Sequence, residues 1–318
     1  MDRSRFDSRI LLALLICVLC AANVRAQQVA PIHATTNLVN LSFTARSANG
    51  SLLSGLRRED IEVFEDAVPQ KIAFFSQASD VPLTLGLIVD ASGSQDHFTK
   101  DHQHALEVFL KELLRPQDSV FLVCFGNHLR LASDFTNSAD DVLRGMDRYQ
   151  HHDREHIPEI GPLEDRDLGT AFYDSISYSV TEKMAAKQGR KALLVFSDGE
   201  DNSSSHDMMD TIEAAQAANV LVYTIRWTEM EHGKLTARNK YGISVMDRVA
   251  KETGAATVDA AKTNAKVYLH DIANELRNSY DVAYYPTNKT RDGTFRKVAI
   301  HPVTEGVTIR TRTGYLSR

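Results

Sequence analysis

The chain has 318 residues, 36 of them basic and 42 acidic for a net charge of −6, and 43% are hydrophobic. That length allows one large domain or two modest ones, and the balance is globular, which excludes a disordered chain and a fibrous repeat. An acidic surface with no basic cluster interleaved with aromatics also excludes nucleic acid as the expected partner.

Arg3, Arg5 and Arg9 precede an apolar run from Ile10 to Ala22 that is too short to span a membrane comfortably, and Val24-Arg25-Ala26 supplies the small residues of a cleavage site. This pattern predicts a signal peptide over residues 1–26, a mature start at Gln27, a periplasmic or extracellular location and no membrane span after cleavage. Leu19 is bulkier than the residue expected before a lipidated Cys20, so lipidation is not expected. Cleavage removes Cys17 and Cys20, leaving Cys124 in an apolar run that reads as a buried strand, with no partner for an internal disulfide.

Residues 27–37 lack apolar periodicity and read as a flexible lead-in. Leu38–Ala45 alternates, Asn49-Gly50 signals a hairpin leading to a second strand, and Ile61–Glu65 and Gln70–Ser76 alternate again. Residues 38–79 are therefore the first part of a β domain. From Pro82 apolar strands alternate with amphipathic helices: Leu83–Val89, helix His102–Leu114, Asp118–Phe125, helix Asp140–Tyr149, helix Thr170–Met184 and Lys191–Ser197. Helix Asp207–Ala218, Val220–Arg226, helix Val245–Thr253, a short strand at Ala256–Val258 and helix Ala265–Leu276 complete the series. The alternation predicts an α/β domain over residues 80–278, a doubly wound, mainly parallel sheet of about six strands. Residues 279–318 return to strands at Tyr280–Tyr285, Phe295–Ile300 and Val307–Arg312, with a turn at Asp292-Gly293. They are expected to join residues 38–79 in one small β-sandwich-like domain.

Chemistry concentrates at the strand ends. Leu83–Val89 ends in Asp90-Ala91-Ser92-Gly93-Ser94, a second strand ends in Ser197-Asp198-Gly199, and Gly169-Thr170 opens a helix. Ligands of open α/β sheets bind at the carboxyl ends of strands, where these side chains are expected to meet. Asp90, Ser92, Ser94, Thr170 and Asp198 offer only hard oxygens, which disfavours zinc or copper and favours Mg²⁺, with Mn²⁺ or Ca²⁺ as alternatives. The same residues also have a plain reading as helix caps. His151-His152-Asp153-Arg154-Glu155-His156 suggests zinc, but no regular element fixes its spacing, and a solvated loop is expected. His97, His102 and His104 read as surface residues, as do Glu200, Asp201 and Asp174, whose nearness to the candidate site keeps them as second-tier candidates for raising metal affinity or repelling an anionic ligand.

Asp90-Ala91-Ser92-Gly93-Ser94, Thr170 and Ser197-Asp198-Gly199 resemble the metal ion-dependent adhesion site of von Willebrand factor A-type domains. The resemblance covers roughly residues 82–278. It implies direct metal bonds from Ser92, Ser94 and Thr170, water-mediated ones from Asp90 and Asp198, and an open position filled by an Asp or Glu of a partner protein. The flanks resemble a bacterial VWFA-related subfamily of acidobacterial type through Leu56–Asp66, Tyr284-Tyr285-Pro286 and Gly314-Tyr315, with Ala67 standing where Gly is expected and the loop Gln150–Asp167 unmatched. A binding protein is the expected class. A Mg²⁺-dependent hydrolase or phosphatase built on Asp90 and a scaffold with a stabilising metal are the alternatives. Against catalysis, the sequence has no Gly-x-Ser-x-Gly motif, no Gly-rich phosphate loop and no Lys or Arg in the motif set.

Overall fold

The computed structural model describes residues 38–77, 81–91, 96–126, 128–152, 156–161, 169–228 and 234–318, without the side chains of 96–103 and 152. The expected signal peptide and lead-in, Ser92, Ser94, the side chains of His97 and His102 and much of the loop 150–167 lie outside that description. Among the described residues no helix is long and apolar enough to cross a membrane.

The first flank supplies β1 (Val39–Arg46), β2 (Ile61–Glu65), β3 (Val68–Gln70) and β4 (Ile72–Gln77). The strand expected after Asn49-Gly50 is reduced to one bridge between Arg46 and Leu52. Ser51 and Gly55 flank Leu52-Leu53-Ser54, and so short an apolar stretch has little to bury. Strands β2 and β3 are joined by a two-residue turn in which Asp66 (φ 48°) and Ala67 (φ 64°) are both left-handed. That is the geometry of a tight hairpin, in which Gly is the usual second residue.

The central part contributes β5 (Leu83–Asp90), β6 (Ser119–Phe125), β7 (Leu129–Thr136), β8 (Glu159–Ile160), β9 (Arg190–Ser197), β10 (Val220–Arg226) and β11 (Thr257–Asp259). They form one seven-stranded sheet in the order β11-β10-β9-β5-β6-β7-β8. Strands β11 to β6 in that order are parallel, and β7 and β8 add an antiparallel edge that exceeds the six strands expected. Helices α1 (Asp96–Leu113), α2 (Ala139–Asp147), α3 (Phe172–Tyr178, prolonged by a π turn to Met184), α4 (Met208–Ala217), α5 (Ala237–Thr253) and α6 (Ala265–Asn278) cover it.

Alternation along the strands divides the apolar residues between two layers. Leu85, Leu87, Val89, Leu194 and Phe196 pack with Leu106 and Phe109 of α1 and Leu269 and Ile272 of α6. Ile88, Val123, Leu193 and Val195 face the other way, against Phe172 and Ile176 of α3, Ile212 of α4 and Val245 and Val249 of α5. With every residue of β5 buried, the strand reads as an apolar run, and each large aliphatic side chain so buried contributes roughly 1.5–3 kcal/mol. Cys124 lies buried in β6.

The second flank adds β12 (Tyr280–Tyr284), β13 (Phe295–Pro302), β14 (Thr308–Thr311) and β15 (Gly314–Leu316). Strands from both ends of the chain interleave in two antiparallel sheets, β14-β1-β12-β4 and β15-β13-β2-β3. The two share a core of Leu41, Phe43, Val63, Tyr280, Val282 and Ile300. This sandwich is bolted to the amino-terminal edge of the parallel sheet. Arg190, at the start of β9, donates to Leu276 O at 2.6 Å and to Asp281 Oδ2 at 2.8 Å. Buried Glu275 accepts from Arg46, Arg310 and Tyr223, and Arg312 donates to Asn40 O at 2.9 Å and to Gln216 O.

Candidate metal centre

From β5 the chain builds the sheet in one direction through β6, β7 and β8, and from β9 it builds in the other through β10 and β11. The order reverses between β5 and β9, which opens a crevice at their carboxyl ends where open α/β sheets bind ligands. Asp90 is the last residue of β5. Val89 pairs with Phe196 in register, so Asp90 and Ser197 come next and Asp198 follows one residue on.

Asp90 is fully buried, and Ser197 Oγ donates to its Oδ2 at 2.6 Å. The Gly199 amide donates to Ser197 Oγ at 3.1 Å, and the Glu200 amide donates to Asp198 Oδ1 at 3.0 Å. Asp198 is 5% exposed. Two carboxylates thus sit almost out of water at adjoining strand ends, an expensive placement unless partners or a cation offset the lost hydration.

Thr170 reaches the same edge from the other side. The Ala171 amide donates to Gly126 O at 2.8 Å, just past β6, whose last residue Phe125 lies opposite Asp90. The Thr170 amide donates to Asn202 Oδ1 at 2.7 Å, and the Asn202 amide returns a bond to Thr170 O at 3.1 Å. Thr170 does not cap α3. The N-cap is Ala171, and the orphan amides at the helix start are taken by the loop after β9. Tyr173 N donates to Asp201 Oδ1 at 3.3 Å and Asp174 N to Ser204 Oγ at 3.0 Å.

Asp174 is not the surface residue expected from its polarity. It is fully buried and accepts from the Ser205 amide, from the His206 amide at 3.0 Å and from His206 Nδ1 at 2.7 Å. Asp201 is likewise half-buried, and burial raises its carboxyl above the usual range against the pull of its hydrogen bonds. Glu200 pairs with Arg238 at 2.6 Å, yet burial and the adjacent Asp198 charge hold its carboxyl above the usual range. Negative charge is crowded here, and a cation would relieve it.

Asn202, Ser204 and His206 are the residues that sequence reasoning missed, and it placed Asp174 at the surface. Their signal is the run Asp201-Asn202-Ser203-Ser204-Ser205-His206, rich in short side chains that bond nearby backbone amides. Among the described residues no three or more His, Cys, Asp or Glu side chains are placed to hold a metal. His151 Nδ1 is engaged with Asp147 at 3.0 Å. A cation in the crevice would therefore need hydroxyl oxygens beside Asp90 and Asp198.

No family model matches the chain, and no curated protein matches it. Similar solved structures include an aerotolerance-related membrane protein from Bacteroides fragilis, 13% identical over 61% of this chain and 98% of that one, with a TM-score of 0.45. BatB from Bacteroides thetaiotaomicron, a conserved hypothetical protein, is 16% identical over 62% of this chain and 97% of its own, with a TM-score of 0.41. Proximal thread matrix protein 1 from the mussel byssus, with a zinc-occupied MIDAS motif, is 15% identical over 67% of this chain, with a TM-score of 0.44. The chain spans 50% of that mussel protein. Likeness at these identities and TM-scores assigns no role to any residue here.

Proposed function

We propose that the chain is an exported von Willebrand factor A-type module of the acidobacterial VWFA-related kind, which binds a partner protein through a divalent cation. On this reading residues 80–278 are the metal-binding domain, and residues 38–79 and 279–318 form its β domain. Asp90, Ser92, Ser94, Thr170 and Asp198 hold Mg²⁺, with Mn²⁺ or Ca²⁺ able to substitute. The supporting observation is the convergence of buried Asp90 and Asp198 at the point where the strand order reverses, with Thr170 tied to Asn202 and its neighbour Ala171 tied to Gly126 at the same edge. All five side chains are hard oxygen donors, which suits a small hard cation that retains some water. Bound there, the cation supplies a Lewis-acidic position for an Asp or Glu of the partner. Ser197 Oγ fixes the Asp90 carboxylate, and the Asn202 clamp fixes the backbone that carries Thr170.

The test has two stages. Mn²⁺ titration followed by electron paramagnetic resonance is expected to show stoichiometric binding to the wild type and none to Asp90→Ala or Asp198→Ala. Pull-downs from the source organism's cell envelope should then lose their partners with EDTA and with Asp90→Ala. Retention of the same partners in every condition would refute the reading.

A further inference from the structure

A groove of about 530 Å³ opens beside the candidate metal centre, lined by His104 and Ala105 of α1, by Trp227 just after β10, and by Ala260, Lys262 and Lys266 around the start of α6. Its Trp227 wall adjoins the strand end that carries Ser197. The Trp227 amide donates to Ser197 O at 3.2 Å, and Ser197 Oγ in turn holds Asp90. Trp227, Ala265 and Ala91, the residue after Asp90, pack on the same core layer. The groove has an apolar floor and a basic rim. Lys262 is exposed and pairs with Asp259 at 3.1 Å, a carboxylate it shares with Arg226, which also faces Asp247 at 3.6 Å, and Lys266 is exposed with no ion pair among the described residues, so the rim's available positive charge is that of the two lysines. His104 is exposed and lies 3.6 Å from Glu107. On a chain whose net charge is −6, such a rim favours an anionic occupant over the chain's own acidic surface.

We propose that this groove receives the continuation of the partner's chain beyond the carboxylate held at the cation. That continuation is an extended acidic segment, which offers a second carboxylate to Lys262 and Lys266 and an apolar side chain to Trp227. The inference rests on the metal-site reading and adds to it the partner's chemistry, since one Asp or Glu alone would leave the groove empty. A segment engaging both places gains from the second contact as an intramolecular event.

Trp227 is the only tryptophan in the chain, so its emission reports the groove directly. The full protein in Mg²⁺ would be titrated with dye-labelled acetyl-Gly-Asp-Leu-Leu-Glu-Glu-Gly-amide and with its counterpart carrying Gln in place of both Glu. Anisotropy reads binding, and label-free peptide reads Trp227 emission. The acidic peptide is expected to shift Trp227 emission and to bind about tenfold more tightly than the Gln peptide. Lys262→Gln with Lys266→Gln should erase that preference while leaving the Gln peptide's binding unchanged, and Lys262→Glu with Lys266→Glu should reverse it. Mg²⁺-dependent binding of both peptides with no Trp227 shift and no loss in the lysine variants would overturn the groove and leave the metal reading standing. A Trp227 response that survives EDTA and Asp90→Ala but is lost in the lysine variants would overturn the coupling to the metal. Absence of binding by either peptide at millimolar concentration would overturn the whole proposal.

Discussion

The carboxylate of Asp198 can sit where it does because two glycines let a helix meet a strand end backbone to backbone. Gly199 adopts φ 78°, and a Cβ there would lie 2.5 Å from Gly242 O and 2.6 Å from Met246 Cγ. Gly242 lies within α5, and a Cβ there would lie 2.4 Å from Asp198 O. Gly242→Ala therefore sets two effects against each other. Helix propensity favours Ala over Gly by about 1 kcal/mol. The new methyl must move from 2.4 Å to beyond 3.0 Å from a main-chain oxygen, and no flexible side-chain tip is available to yield. Overpacking costs about 1–3 kcal/mol, and contact between two backbones belongs at the upper end. Sterics should win, with a net loss of about 1–2 kcal/mol and a fall in Tm of about 2–3 °C. Urea unfolding followed by circular dichroism should show a lower midpoint at an unchanged slope. Gly199→Ala adds a left-handed penalty of about 1–2 kcal/mol and should lose more. A Gly242→Ala variant as stable as the wild type or more so would show that α5 withdraws freely, and the account of how Asp198 is positioned would fail.

Gly86→Ala places a methyl 2.4 Å from Leu193 Cδ2 and 2.5 Å from Phe121 Cζ in the middle of β5, and chemical denaturation should show a loss of about 1–3 kcal/mol. Ala67→Gly relieves the left-handed Ala of the β2–β3 turn, and a gain of about 0.5–1 kcal/mol is expected after the greater backbone freedom of unfolded Gly is deducted. Asp174→Ala strands the Ser205 and His206 amides and should cost about 3 kcal/mol, whereas His206→Ala removes an imidazole that is 46% exposed and should cost about 1 kcal/mol. Equal losses in urea melts of those two variants would refute the ranking. Burial raises the Asp201 carboxyl, so its contribution to stability is fully present below the ordinary Asp range and is lost as pH climbs through the raised value. Asp201→Asn stays neutral and keeps an acceptor for the Tyr173 amide, so its stability relative to the wild type should increase as pH rises above the ordinary Asp range, about pH 4.

The elements legible in the sequence are those whose environment is uniform. Strands β5, β6, β9 and β10 are buried along almost their whole length and read as apolar runs. Strand β7 was not legible, because Leu-Arg-Leu-Ala-Ser-Asp-Phe-Thr near the sheet edge is buried irregularly and shows neither a run nor strict alternation. Helix α5 was expected only from Val245. Its first two turns, from Ala237, are mostly exposed, so no apolar stripe marks them, and only the capping box of Thr236 with Asn239 does. The same logic divides the candidate site. Asp90 and Asp198 are visible because a strand carries each to a predictable edge. The burial of Asp174 was not visible, because its donors, Ser205 and His206, come from a loop some thirty residues away in sequence.

The sandwich sits at the opposite end of the sheet from that site. Its contacts run through Arg190 at the start of β9, through Glu275 and Leu276 at the end of α6 and through Arg312 against Gln216 at the end of α4. Asp90, Asp198 and Thr170 lie at the carboxyl ends of the strands. A parallel strand about seven or eight residues long, rising about 3.3 Å per residue, separates the two ends by roughly 25 Å. Glu275 is buried among two arginines and Tyr223, so removing its charge leaves cations with no counterpart close to the sandwich. Glu275→Gln should therefore weaken the junction by a few kcal/mol. Because the site lies beyond the reach of that local change, Mn²⁺ affinity in the folded variant should stay at the wild-type value. A parallel loss of cation binding in Glu275→Gln would mean that the sandwich conditions the site through the sheet and α6, and that it does more than hold it at a distance.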